Sequence, residues 1–169
     1  MAKINIMSSM FVIVLFGCAA SPPSDRDSQE LSTVQQAFPA ATGLREVSIP
    51  QDAQPFEHAD KMTVKVIHNQ SVSLGYCVGA TVAAKSGPFR ICILADSNLL
   101  VRRASVVSYT WDRGRDVRKS KFTRQFEGRG PDDPIQIGQD IDAITGATLS
   151  SKAMAQGVRD AVTLLRTMQ

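Results

Sequence analysis

The chain has 169 residues, 43% of them hydrophobic, and a formal net charge of +3, which is enough for one domain with a real core. So small a charge excess argues against a polyelectrolyte binder, and an aromatic content of 6% offers no base-stacking platform, so composition gives no support for nucleic acid as a partner.

The N-terminus reads as a targeting segment. Lys3 supplies a short positive region, residues 4–16 are largely apolar, and Gly17-Cys18 follows. This is the layout of an export signal, too short and wrongly flanked for a durable transmembrane helix. Leu15-Phe16-Gly17-Cys18 resembles a bacterial lipoprotein box, which implies cleavage after residue 17 and diacylation of Cys18. The alternative is a simple secretory signal with an incidental cysteine. The lipoprotein reading places the protein in the cell envelope, extracytoplasmic and lipid-anchored on the periplasmic side of a membrane or at the cell surface, held by acyl chains without spanning the bilayer. Residues 18–30 are polar, carry paired prolines and read as a flexible tether. One domain, 31–169, follows, with no internal repeat.

Within it, 31–38 is a short helical candidate with Leu31, Val34 and Phe38 at helical spacing, closed by Pro39. From 62 to 108 the apolar period becomes two. Met62, Val64 and Val66 form one row; Leu74, Tyr76, Val78, Ala80 and Val82 form the next. Phe89, Ile91 and Ile93 follow Gly87-Pro88, and Val101, Ala104, Val106 and Val107 follow Asp96-Ser-Asn98. The pattern predicts an antiparallel meander punctuated by Gly, Pro and Asn. If the strands around 77 and 92 form a hairpin, Cys77 and Cys92 share the face opposite the apolar rows. They are then either cross-strand disulfide partners or two small buried hydrophobes. Residues 111–130 are loop-rich and basic, with a short helix suggested by Phe122, Gln125 and Phe126, and 131–140 is polar and turn-prone. The strongest helix is 149–168, where Met154, Val158, Ala161, Leu165 and Met168 recur at three and four. The fold class is therefore α+β: an antiparallel sheet with a short N-terminal helix and a long C-terminal amphipathic one.

Immediately before that last helix stands Asp142-Ala-Ile-Thr-Gly-Ala-Thr-Leu-Ser-Ser151. Small hydroxyl residues at a helix N-terminus suit a phosphate, because free N–H groups and the helix dipole favour negative charge there. By spacing alone, Thr148 or Ser150 is equally an ordinary N-cap and Thr145-Gly146 an ordinary turn.

The stretch resembles the threonine-flavinylation motif Asp-x-x-Ser/Thr-Gly-Ala-Thr of the FMN-binding domain family, which includes flavin-carrying subunits of the Rnf and Nqr electron-transport complexes. Phe122-Thr-Arg-Gln-Phe-Glu-Gly128 resembles an upstream family element, as do Gly75-Tyr76 and Gly87-Pro88. The resemblance runs from about Val34 to the C-terminus. It implies FMN attached through its phosphate to Thr148, with Asp142, Thr145, Gly146, Ala147, Leu149, Ser150 and Ser151 around the attachment. Many members carry Glu-Thr-Pro-Gly where this chain has Tyr109-Thr-Trp-Asp-Arg-Gly114, a departure that bears on the flavin-ring contacts.

Tyr109, Trp111, Phe122 and Phe126 are candidates to pack beside the ring, the last two more naturally as core. Arg102, Arg103, Arg113, Arg115, Arg118, Lys119, Lys121, Arg124 and Arg129 read mainly as a solvated face, with one or two contacting flavin. His58 and His68 have no metal-ligand spacing. The resemblance implies an electron carrier that needs a flavin transferase for maturation and a membrane-bound electron-transfer partner, with no side chain acting as acid or base. Two rivals are a flavin-dependent reductase of a small extracytoplasmic substrate and a non-redox lipoprotein that has lost the flavin.

Overall fold

A computed structural model describes residues 25–50 and 59–169. Cys18 and the segment expected to be a signal lie outside the described residues. Five strands, β1 (Gly43–Val47), β2 (Ala59–Asn69), β3 (Val72–Ala84), β4 (Gly87–Asp96) and β5 (Val101–Ser108), pair in chain order. Every pairing is antiparallel. Three helices complete the fold: α1 (Asp25–Gln35), α2 (Ser120–Thr123) and α3 (Thr148–Thr167). The α+β meander predicted from the alternation is therefore the observed architecture.

Two boundaries differ from the sequence reading. Helix α1 begins at Asp25, inside the stretch expected to be tether, and ends at Gln35. The chain then turns through Phe38 N–H to Val34 O and Ala41 N–H to Phe38 O, 2.9 Å each, so the helix stops before Pro39. The short edge strand β1 had no counterpart in the reading. Its five residues contain one apolar alternation, too little for a period to show.

The sheet is apolar on both faces because each is covered. On one face Val64, Val78, Val82, Ile91 and Ile93 pack with Met154, Val158, Ala161, Val162 and Leu165 of α3. Gly157 lets α3 lie close, since a Cβ there would stand 2.4 Å from Val82 Cγ1. On the other face a smaller cluster joins Val34 of α1 and Ala41 to Ile67, Cys77 and Leu94. After β5, Phe122 and Phe126 are fully buried and meet edge to face at 5.3 Å. They are core residues, each contributing about 2–3 kcal/mol of apolar burial.

The β3–β4 hairpin positions the site. Its register pairs Ala84 with Gly87, so Lys85 and Ser86 form a two-residue turn. The long β3 and β4 strands carry that turn to the sheet end where α3 begins.

Candidate functional site

Helix α3 starts on a turn that the sequence specifies at two points. Gly146 sits at φ 78°, a left-handed conformation that favours glycine, and Ala147 N–H returns to Ile144 O at 2.9 Å. Buried Ser151 then staples this turn to the helix. Its hydroxyl donates to Ala147 O at 3.0 Å and accepts from Ile144 N–H at 3.3 Å. Upstream, Gln125 holds Asp142 by both backbone groups, accepting from its N–H at 2.7 Å and donating to its carbonyl at 3.2 Å. A polar residue between two core phenylalanines thereby fixes the entry to the motif.

The N-cap residue is Ala147, which supplies no side-chain cap, and Thr148 is the first helical residue. This excludes the ordinary N-cap role for Thr148 or Ser150. The first backbone bond into the helix is Ser151 N–H to Ala147 O, 2.8 Å. The amides of Thr148, Leu149 and Ser150 precede it and have no intrahelical acceptor, as the first turn of any helix requires.

The hydroxyls of the first turn divide cleanly. Ser150 is buried and lies 2.9 Å from the Tyr109 hydroxyl. That hydroxyl donates to Arg113 O at 2.7 Å and so accepts from Ser150. Ser151 is committed to the staple. Thr148 is exposed, and no described residue hydrogen-bonds its hydroxyl.

Thr148 opens onto a pocket of about 550 Å³ whose walls include Lys85, Ser86, Arg113, Gly114 and residues 146–150. Gly114 shapes one wall. It is left-handed at φ 84°, and a Cβ there would stand 2.4 Å from both Ser150 Oγ and Tyr109 OH. Lys85 and Arg113 are exposed, and among the described residues no carboxylate pairs with either.

Of the expected site residues, Gly146, Ala147, Thr148, Leu149 and Ser150 therefore meet at one pocket. Asp142, Thr145 and Ser151 are not on its walls; Asp142 and Ser151 shape the segment from behind. Tyr109 is 8% exposed, tilted against Phe89 at 5.0 Å, and reaches the site only through its hydroxyl. Trp111 lies across Gly87, where a Cβ would stand 2.0 Å from its ring, and its Nε1–H donates to Pro88 O at 3.2 Å. The departure at 109–114 thus forms a wall and a strap. Sequence reasoning missed Lys85, Ser86 and Gly114, which come from two separate turns; only the strand register shows that the hairpin turn reaches α3.

An uncapped helix N-terminus, two unpaired cations and a free hydroxyl at one pocket suit a phosphate-bearing ligand, and the phosphate end of FMN fits that donor set. The fold and site define a flavin-binding α+β protein. The chain belongs to the FMN-binding domain family, whose model matches residues 63–163, from β2 through most of α3. No curated relative matches the chain.

Proposed function

We propose that the protein carries FMN covalently on Thr148 and works as an extracytoplasmic electron carrier. The observation that supports this reading is the chemical state of Thr148. It is the exposed hydroxyl of the first turn, free of partners among the described residues, at the mouth of a cationic pocket.

In attachment, Thr148 Oγ bonds to the FMN phosphorus of FAD, AMP leaves, and the hydroxyl proton passes to the flavin transferase or to water. The product phosphodiester keeps one negative charge. The free amides of Leu149 and Ser150 would hold it, the α3 dipole would add roughly 0.3–1 kcal/mol, and Lys85 and Arg113 at the same pocket would supply positive charge. Gly146 and Ala147 present no bulk beside the hydroxyl, which gives a transferase access. The flavin supplies the redox chemistry, while the chain holds the phosphate end and orients the ring.

The resemblance of the N-terminus to a lipoprotein box extends the proposal to export and acylation at Cys18, and the family resemblance extends it to a membrane-bound electron-transfer partner. A covalent link suits that location, because a dissociated flavin is lost outside the cytoplasm. Coexpression with a flavin transferase in an exporting host, followed by a denaturing gel, tests it. A flavin-fluorescent band is expected for the wild type and not for Thr148→Ala; a band of equal intensity in the variant rejects the site.

A further inference from the structure

On the sheet face opposite α3, Cys77 and Cys92 approach each other. The β3–β4 register pairs Cys77 with Leu94 and Gly79 with Cys92, which makes the cysteines diagonal neighbours on one face. Their sulfurs are 3.6 Å apart, and both are free thiols. They differ in access: Cys77 is buried, whereas Cys92 is half-buried. Gly79 stands directly opposite Cys92, and a Cβ there would meet Thr63 Oγ1 at 2.8 Å. The pair lies at a cleft of about 540 Å³ whose walls include Glu30, Glu46, Lys65, Arg90 and both cysteines.

Glu30 links the pair to charge. One carboxylate oxygen pairs with the Lys65 ammonium, and the other lies 3.6 Å from Cys77 Sγ, so the single Cys77 proton can turn to it once Cys92 no longer accepts. We propose that Cys92 and Cys77 are a thiol–disulfide exchange centre, separate from the flavin pocket, with Cys92 attacking and Cys77 resolving, and that the cleft admits a low-molecular-weight disulfide.

The two steps balance. Cys92 thiolate attacks RS–SR, a Cys92–SR bond forms and the first thiolate leaves. Cys77 then gives its proton to Glu30 and attacks Cys92 Sγ, expelling the second thiolate. The disulfide reagent is reduced to two thiols, and the dithiol is oxidised by two electrons. The Cys92 thiol is held below the ordinary thiol range, chiefly because Cys77 donates a hydrogen bond to it. Lys65 and Arg103 assist by charge, against burial and Glu30. Cys77 is pushed up by that same bond and by burial. The less buried cysteine is thus also the one that forms its thiolate more readily.

Reversibility follows from the register. Diagonal residues have Cα atoms about 7–8 Å apart, at the edge of what a disulfide spans without movement. A bond made under strain is easily reduced.

The test exposes the folded full chain to oxidised glutathione and maps adducts by peptide mass, so that Cys18 is counted apart. The wild type is expected to lose both free thiols as a Cys77–Cys92 disulfide that reduced glutathione reopens. Cys77→Ser is expected to stop at a glutathione adduct on Cys92. Glu30→Gln is expected to accumulate that adduct, because Cys77 loses its proton acceptor. Two thiols surviving in the wild type, or an adduct on Cys77 in Cys92→Ser as fast as on Cys92 in Cys77→Ser, overturns the proposal. These readings need no flavin on the protein.

Discussion

Gly114→Ala probes how tightly the site wall is built. The residue lies at φ 84° and ψ 5°, so any Cβ pays a left-handed cost of about 1–2 kcal/mol. The same Cβ would stand 2.4 Å from Ser150 Oγ and from Tyr109 OH, and both are committed. Displacing them strains the Tyr109–Ser150 bond of 2.9 Å and the Tyr109–Arg113 bond of 2.7 Å, each worth about 1 kcal/mol net. Alanine recovers about 0.4–1 kcal/mol by restricting the unfolded chain. The expected loss is therefore about 2–3 kcal/mol, a fall in Tm of roughly 4–12 °C for a chain of this size. Urea unfolding followed by circular dichroism reads it. In a Tyr109→Phe background the same change should cost about 1 kcal/mol less, because contacting sites couple. A loss under about 0.5 kcal/mol in the wild-type background would refute the clamp.

Gln125→Ala removes both bonds to the Asp142 backbone and is expected to cost about 1–2 kcal/mol and to lower flavin loading by the transferase; unchanged loading would show that the motif holds its shape without Gln125. Lys85→Gln is expected to leave stability within about 0.5 kcal/mol, since the side chain is exposed. It should weaken non-covalent FMN binding to the Thr148→Ala protein by about 1 kcal/mol, roughly fivefold, read from quenching of Trp111, the chain's single tryptophan. Equal affinities would remove Lys85 from the phosphate site.

The meander and α3 were legible because burial imposes a period: two along β2 to β5, and 3.6 along Met154, Val158, Ala161 and Leu165. Strand β1 was not, because five residues at a sheet edge carry too few alternations. The segment that opens onto the pocket was legible because Thr148 and its small neighbours are contiguous. What surrounds them comes from far along the chain. Nothing in the sequence around Lys85 marks it as a site residue; the Ala84–Gly87 pairing puts it in the hairpin turn that reaches the start of α3. Tyr109 looked like a flavin-stacking ring, yet its neighbour is Phe89 and its hydroxyl serves Ser150. The cysteines were correctly placed on one face by parity, but the contact of Cys77 with Glu30 of α1 joins residues far apart in the chain, which no local pattern encodes.

The central claim concerns one oxygen atom, Thr148 Oγ, and mass mapping of the flavinylated protein tests it most directly. The tryptic peptide 130–152 contains Thr145, Thr148, Ser150 and Ser151, so fragmentation chooses among the hydroxyls of the segment. The account predicts a single added FMN phosphodiester on Thr148. An FMN on Thr145, Ser150 or Ser151, or a peptide that carries none while the intact protein stays yellow, would contradict it.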